Sequence, residues 1–399
     1  MTDFAGLMQT VIEGKKAEFV PFVPRLDIWY QSRKRQGTLP KRYQDVSLLD
    51  ILTDLDIGYN TMIPDYLDHD GRPDYLHRGL GFHASRTSNV FTLHFHNVDI
   101  EDHWDGDRYS VTYRTPYGDL TTITRLDEQM KAQGSTIAVI LKKAVESVQD
   151  FKAARYLFDN VEIRPDYERY NRFLERVGHR GLATCFVLQR ESGFRMLNMD
   201  LMTYDKALYE QLDYPDEFTD LCLVLDRFLE RCVAVACASP AHLLTVGAHY
   251  DTGLTPPSLF EQYTLPCLER YSQMIHASGK KMALHTDSEN QFLLPLYIAS
   301  GMDVADSICQ KPLTRLSYRD IRDVAKDKIT LYGLIPSITL LESSFSDDDF
   351  QRFLDRLFSD MQADGARRII LAIADTTPPG APLERIAQIA KWSRQIKPI

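Results

Sequence analysis

A histidine and an aspartate two positions apart follow a short apolar run in the second half of the sequence. His285 and Asp287 lie in the stretch KKMALHTDSEN at 280–290. If a strand continues through them, both side chains face the same side of a sheet. With a third ligand from another strand they could hold a divalent metal ion, zinc first, or manganese or iron. The structural alternative is that Asp287 caps a helix beginning near Glu289 while His285 bonds to a neighbour.

Acidic, imidazole and thiol side chains also follow the ends of other predicted strands. The full set is Asp27, Asp65, His249, Asp251, His285, Asp287, Cys309 and Asp375. Each aspartate alone is explained well as a helix cap. Their shared position is more informative, because the active site of a (β/α)₈ barrel is built at the carboxyl ends of its strands. We therefore predict a site at this rim, with Asp251, His249 and Asp65 as catalytic candidates that orient substrate or exchange a proton.

Short apolar strands alternate with amphipathic helices through the second half of the chain. The strand-like segments are 181–190, 242–251, 280–287, 302–308, 329–336 and 367–374. This alternation predicts a parallel sheet with crossover helices. Six units in a row favour a closed (β/α)₈ TIM barrel over an open sheet, and the remaining two strands are expected within 18–30 and 56–64.

Residues 65–135 have a different pattern. The stretches NVFTLHFHNVD and RYSVTYRTPYGDLTTITRLD are rich in Thr, Tyr and Val and flank the turn-like WDGD. They predict antiparallel hairpins, inserted into the barrel or forming a cap. The expected fold is α/β: one barrel domain over residues 1–399, with an N-terminal helix and a β-rich insertion at about 65–135.

Composition excludes several classes of function. A net charge of −10 argues against nucleic-acid binding. The apolar runs are too short to span a bilayer, and the N-terminus lacks the features of a secretory signal. The six cysteines show no CxxC spacing, as expected for reduced thiols. We expect a cytoplasmic enzyme with a small-molecule substrate and with no nucleic-acid or membrane partner.

Four segments, in this order, carry a resemblance to a known family. They are LMTYDKALYEQLDYPDEFTDL (201–221), GAHYDTGLTPPSLFEQYTLPCLERY (247–271), ALHTDSENQFLLPLYIASGMDVADSI (283–308) and RRIILAIADTTPPGAPLERIAQIAKW (367–392). Together they resemble the uroporphyrinogen decarboxylase superfamily, which includes corrinoid- and coenzyme M-linked methyltransferases. The resemblance covers most of the chain and is best in its C-terminal two thirds.

The chain departs from the decarboxylase pattern where that branch binds its substrate. Decarboxylases resembling this chain carry an R-Q-A-G-R motif, and WYQSRKRQGTLP has Ser32 and Gln36 at the two arginine positions. Arg33 and Arg35 are adjacent but out of register. A tetracarboxylate substrate needs arginine, because the guanidinium pairs with carboxylates through two hydrogen bonds. Haem-pathway decarboxylation is therefore disfavoured.

The resemblance also implies candidate substrate-binding and metal-binding residues. Trp29, Arg33, Arg35 and Tyr204 are the candidates for substrate binding. In the methyltransferase branch, zinc is held by a His-x-Cys pair and a late Cys. These positions align with His285, Asp287 and Asp375. A carboxylate-rich site suits a Lewis acid acting on an oxygen leaving group better than it suits thiolate activation.

The resemblance implies a methyltransferase that moves a methyl group between a small methyl ether, alcohol or amine and a corrinoid protein or thiol. A first alternative is a decarboxylase of uroporphyrinogen or another carboxylic acid, in which Arg33 or Arg35 positions the substrate and no metal is needed. A second is a non-catalytic barrel that binds a corrinoid or pterin. The sequence also leaves a homodimer open.

Overall fold

The computed structural model describes residues 2–61, 76–82, 90–135 and 137–399. The strands of this part are, in chain order, β1 Phe91–Phe95, β2 Asp99–Asp105, β3 Arg108–Thr115, β4 Gly118–Arg125, β5 Val139–Lys142, β6 Val161–Pro165, β7 Thr184–Leu188, β8 Leu243–Val246, β9 Lys281–His285, β10 Val304–Ile308, β11 Thr330–Ile335 and β12 Ile369–Ile373.

Helices connect the later strands. The α-helices of the described part are Phe4–Ile12, Asp27–Gln36, Leu48–Asp54, Glu128–Ala132, Phe151–Asp159, Tyr167–Val177, Gly193–Arg195, Tyr204–Asp213, Pro215–Cys237, Pro257–Leu259, Leu265–Ala277, Leu294–Ala299, Tyr318–Ala325, Asp347–Ala363 and Leu383–Ser393. Shorter helical segments are the 3₁₀ turns Lys41–Tyr43, Arg78–Leu80, Val148–Asp150, Gly178–Arg180 and Ser337–Leu340, and the π-helical stretches Met196–Leu201 and Phe260–Thr264.

Strands β7 to β12 form one six-stranded sheet in the order β12-β11-β10-β9-β8-β7, and its neighbouring strands are parallel. Every residue of β8, β10, β11 and β12 is buried. Strands buried on both faces are expected where helices cover a parallel sheet. The predicted α/β fold with a parallel sheet is confirmed. A closed barrel is not, because the strands of the described part form an open sheet.

The predicted first strand is shorter than expected. Val23 N donates to Leu371 O at 2.8 Å, and Phe22 forms a parallel bridge with Leu371, so this segment lies beside β12. From Asp27 onward the chain is helical rather than extended. Leu26 precedes that helix with a ψ of 2°, which ends the extended segment.

The predicted second strand falls at the opposite edge of the sheet. Thr184 N, at the start of β7, donates to Thr61 Oγ1 at 3.0 Å. Gly58 N donates to Phe22 O at 2.9 Å, which connects this segment to the first one. A few hydrogen bonds thus link both edges of the sheet to segments that are not strands. Asp65 and the rest of 62–75 lie outside the described residues.

Antiparallel strands form two separate sheets. One has four strands in the order β2-β3-β4-β5, and the other pairs β1 with β6. Because β5 and β6 lie at 139–142 and 161–165, the antiparallel structure continues beyond residue 135. No helix of the described part is long and apolar enough to cross a membrane.

Candidate functional site

Three predicted side chains meet at the carboxyl ends of the parallel strands. His285 is the last residue of β9, and Asp375 follows the end of β12 by two positions. The Nε2 atom of His285 is 3.6 Å from Asp287 Oδ2 and 3.6 Å from Asp375 Oδ1. One ligand atom from each residue lies within 4.8 Å of the others. This geometry suits a single metal ion.

Sheet curvature brings these residues together. Strands β10 and β11 separate β9 from β12 in the sheet order. In a flat sheet, three strand spacings correspond to about 14 Å. Contact at 3.6 Å between His285 and Asp375 therefore requires the sheet to curl, so that side chains from both strands point into one space.

Asp306, which was not predicted from the sequence, is the closest partner of His285. Asp306 Oδ2 lies 2.7 Å from His285 Nδ1, and the two residues are register partners on adjacent strands. The available signal was an aspartate in the middle of the apolar run MDVADSI, in which neighbouring residues are buried. A carboxylate at such a position needs a partner.

Burial and charge act in opposite directions on the histidine. His285 is 3% exposed, and burial by itself lowers the pKa of its imidazole. The charge of Asp287, the contacts with Asp287 and Asp375 and the hydrogen bond with Asp306 outweigh burial and raise the pKa well above 6.5. A proton at Nε2 and a metal ion at Nε2 are alternative occupants of the same place.

The two other carboxylates have the properties of anionic ligands. Burial raises the pKa of Asp287, but the charge of His285 outweighs it and the pKa is lowered. The pKa of Asp375 is also lowered, because His285 and Arg25 outweigh the effect of burial, although 46% of its side chain is exposed. Asp287 Oδ1 is buried and has no hydrogen-bond partner among the described residues. A buried carboxylate with one unpartnered oxygen and the other 3.6 Å from a histidine nitrogen fits a divalent metal.

Arg25 fixes one side of this group. Its guanidinium donates to both carboxylate oxygens of Asp27, at 2.9 and 3.3 Å, and to Asp375 Oδ1 at 3.4 Å. Arg25 and Asp27 are both buried. Asp27 thus holds the Arg25 guanidinium in place, and Arg25 in turn limits the positions that the Asp375 carboxylate can take.

His249 lies next to His285 at the mouth of the site. The two imidazole rings are 6.1 Å apart between centroids and nearly perpendicular. His249 has a φ of 58°, a strained conformation typical of functional loops. Its Nε2 is 3.0 Å from Gln189 Nε2. Burial of the imidazole ring and then the charge of Arg190 lower its pKa to about 4, although the residue as a whole is exposed.

Asp251 and Tyr204 support the loop that follows β8. Asp251 Oδ1 accepts a hydrogen bond from Gly253 N at 2.8 Å, and its backbone carbonyl accepts from Thr255 N at 2.7 Å. Tyr204 donates from its hydroxyl to Leu254 O at 3.2 Å. Both residues therefore shape the loop, and their predicted roles in catalysis and substrate binding stay predictions.

The remaining substrate-binding candidates have structural contacts or lie at the surface. Trp29 is fully buried and donates from its indole nitrogen to Ala381 O at 2.9 Å. Arg33 donates to Pro379 O and to Ala381 O, at 2.9 and 3.0 Å. Arg35 is exposed. The contacts of Trp29 and Arg33 explain these side chains without a substrate.

Cys309 is a buried thiol one residue beyond β10. Its Sγ is 3.6 Å from Gln310 O, and burial raises its pKa to about 12. A thiol in this state is protonated near neutral pH and is a poor nucleophile or metal ligand.

Comparisons with known sequences and solved structures give matches at the level of family and fold. Residues 196–396, about half of the chain, match the family described as uroporphyrinogen decarboxylase (URO-D). A solved methyltransferase from Methanosarcina mazei is 12% identical, with 99% of each chain covered and a TM-score of 0.51. A mandelate racemase/muconate lactonizing enzyme from Roseiflexus sp. is 11% identical over 74% of this chain and 90% of that chain, and its TM-score of 0.21 is too low to indicate a shared fold. A comparison with curated protein sequences found no match.

Proposed function

The chain belongs to the uroporphyrinogen decarboxylase family, and we propose that it is a metal-dependent methyltransferase of that superfamily. The methyl group would move from a small methyl ether, alcohol or amine to a corrinoid protein or a thiol. The observation that carries the proposal is the meeting of His285 Nε2, Asp287 and Asp375 within 4.8 Å. The proposal includes a barrel closed by the segments around Phe22 and Gly58, which hydrogen bond to each other.

The ligand set favours a divalent metal with an open position. Zinc binds imidazole nitrogen and carboxylate oxygen, and a catalytic zinc keeps three protein ligands and one open position; one imidazole and two carboxylates also suit manganese or iron. Such an ion would supply a Lewis acid for the substrate heteroatom. Asp306 and Arg25 would hold His285 and Asp375 in place through the hydrogen bonds described above.

Side chains at the mouth of the site can handle the proton that the leaving group takes up. The acceptor, a reduced corrinoid cobalt or a thiolate, supplies the electron pair of the new bond to the methyl carbon. The heteroatom keeps the electron pair of the broken bond and takes up a proton. His249 is exposed beside His285, and its neutral imidazole can relay that proton from solvent to the leaving group, while Asp251 shapes the adjacent loop.

The charge of the site argues against the decarboxylase alternative. Four carboxylates, from Asp27, Asp287, Asp306 and Asp375, lie close to Arg25 or His285. A polycarboxylate substrate would be repelled by this group unless several cations faced it. Arg33 already donates to Pro379 O and Ala381 O.

Metal analysis combined with a methyl-transfer assay tests the proposal. We expect about one divalent ion per purified chain, none in His285→Ala, and an unchanged content in His276→Asn. His276 is a matched control because it also pairs with a carboxylate, Asp303, at 2.8 Å but is 40% exposed. Mass spectrometry should detect methyl transfer from a panel of methyl ethers, methanol and methylamines to chemically reduced cob(I)alamin or to a thiol.

Two results would contradict the proposal. One is a wild-type protein that binds no metal after incubation with Zn²⁺, Mn²⁺ or Fe²⁺. The other is decarboxylation of uroporphyrinogen by both the wild-type protein and His285→Ala, which would favour the metal-independent alternative.

A further inference from the structure

We propose that Asp306 is a positioning residue that holds His285 in the tautomer needed for metal binding. This inference rests on the proposed metal site. Asp306 Oδ2 lies 2.7 Å from His285 Nδ1 and makes no contact with the reacting atoms. In a neutral imidazole, one nitrogen carries the proton and the other carries the lone pair. With Nδ1–H donating to Asp306, the lone pair is on Nε2.

The opposite edge of the ring faces the two carboxylate ligands. His285 Nε2 is 3.6 Å from both Asp287 Oδ2 and Asp375 Oδ1. A separation of 3.6 Å is long for a hydrogen bond but leaves room for an ion between the atoms. The short contact to Asp306 and the two longer contacts thus divide the ring into an anchored side and a ligand side.

The backbone holds Asp306 against the residue that follows His285. Thr286 donates from both its amide and its hydroxyl to Asp306 O, at 2.7 and 3.0 Å, and Thr286 is fully buried. The register of β10 against β11 shifts between Asp306 and Ile308, and Ser307 has a φ of 59°. Bulges of this kind re-aim a side chain at the end of a strand.

The Asp306 carboxylate lines a small internal cavity. Its side chain is 12% exposed, and the cavity has a volume of about 10 Å³. Its lining combines the polar residues Asn60, Thr184, Thr245, Asp306 and Tyr332 with the apolar residues Phe186, Leu243 and Ala283. A space of this size fits about one water molecule. A carboxylate that accepts a hydrogen bond from one ring nitrogen makes the imidazole a stronger metal ligand at the other.

A second histidine–aspartate pair, at the start of β10, belongs to no metal-binding group among the described residues. His276 Nε2 is 2.8 Å from Asp303 Oδ2, and Asp303 also accepts from Lys281 Nζ and Met282 N at 2.9 Å. Asp303 directly precedes β10, so this pair lies at the start of the strand and not at the site. The His276–Asp303 pair therefore serves as a control, because it has the same histidine–carboxylate contact but lies outside the proposed metal site.

Zinc affinity of metal-stripped protein tests the proposal. We expect Asp306→Asn to weaken Zn²⁺ binding by about 10-fold and Asp306→Leu by about 100-fold, the range found when an outer-shell partner of a ligating histidine is lost. Asn keeps an acceptor but no charge, whereas Leu removes both. Asp303→Asn should bind as the wild type does. Titration calorimetry gives the affinities, and circular dichroism checks that each variant is folded.

Cobalt provides a readout that a merely structural residue would not change. We expect the visible absorption spectrum of Co²⁺-loaded Asp306→Asn to differ from that of the wild type, because the ring is no longer fixed. If folded Asp306→Asn and Asp306→Leu bind Zn²⁺ with wild-type affinity and spectrum, the proposal is wrong while the metal site stands. If the wild type and Asp303→Asn also bind no metal, the proposed function is wrong, and this inference, which rests on it, is wrong as well.

Discussion

Two buried histidines lie in different regions of this molecule, His285 at the end of the parallel sheet and His77 beside the antiparallel sheet. His285 is 3% exposed and His77 is 8% exposed. His285 contacts three carboxylates, from Asp287, Asp306 and Asp375. The neighbours of His77 are instead the hydroxyl of Tyr113, at 3.0 Å from Nδ1, and aromatic rings such as that of Phe95.

The two environments shift the imidazole pKa in opposite directions. Burial, and to a smaller degree the charge of His94, lower the pKa of His77 to about 4. The carboxylates around His285 overcome a similar burial and raise its pKa. Burial alone thus produces a neutral core histidine, whereas burial among carboxylates produces a place for a cation. The predictions below test this difference.

The largest expected effect is on metal affinity. Asp287→Asn and Asp375→Asn should each weaken Zn²⁺ binding by about 100-fold or more, because each removes a ligand rather than an outer-shell partner. His77→Phe should leave the affinity unchanged. Titration calorimetry on metal-stripped protein measures both. If His77→Phe lost as much Zn²⁺ affinity as Asp375→Asn, the contrast between His77 and His285 in metal binding would be wrong.

The second effect is on the pH dependence of stability. The folded-state pKa of His77, about 4, is below its ordinary value of 6.5, so the unfolded chain takes up the proton first as the pH falls. His77 should therefore reduce the free energy of unfolding between pH 6.5 and pH 4, by about 3 kcal/mol in total, and have no effect above pH 6.5. Urea unfolding across this range should show a smaller decline in His77→Phe than in the wild type. Parallel declines would contradict the prediction.

The third effect is stabilisation by metal. Zn²⁺ at 100 times its dissociation constant should raise the free energy of unfolding by about 2.7 kcal/mol, because it binds the folded state. Thermal unfolding should show this gain in the wild type and in His77→Phe, but not in His285→Ala. A gain in His285→Ala equal to that of the wild type would place the bound metal elsewhere.

The smallest effect is on the hydrogen bonding of the antiparallel region. Tyr113 donates from its hydroxyl to Leu76 O at 2.8 Å, and Tyr113→Phe removes this donor. We expect a loss of about 1 kcal/mol in unfolding free energy. Zn²⁺ affinity should be unchanged, and a measurable fall in affinity would mean that the two regions are coupled.

Local pattern was sufficient to predict much of the fold. The alternation of apolar strands and amphipathic helices predicted the parallel sheet, since each element must bury one face. It did not predict that 27–36 is helical, that the first strand shortens to a single bridge at Phe22, or that the described part of the second expected strand is not a strand, because tertiary contacts decide such short segments. The cytoplasmic location, the corrinoid partner and the homodimer stay predictions.

The site was predicted in part. His285, Asp287 and Asp375 were identified from strand ends and from the family resemblance, and the structure brings them within 4.8 Å. Asp306 and Arg25 were missed, since a lone aspartate within a strand and an arginine in a loop match no motif. Sequence spacing also could not show that Arg33 donates to backbone carbonyls.

The sequence by itself determined which side chains stand at the ends of the strands and that His285 and Asp287 lie two positions apart. A period of two residues is a local property of any extended strand, so it can be read without a structure. Only the tertiary structure decided that Asp375 comes within 3.6 Å of His285 and that Asp306 anchors the imidazole. Those contacts depend on the curvature and register of the sheet, which arise from packing along the whole chain.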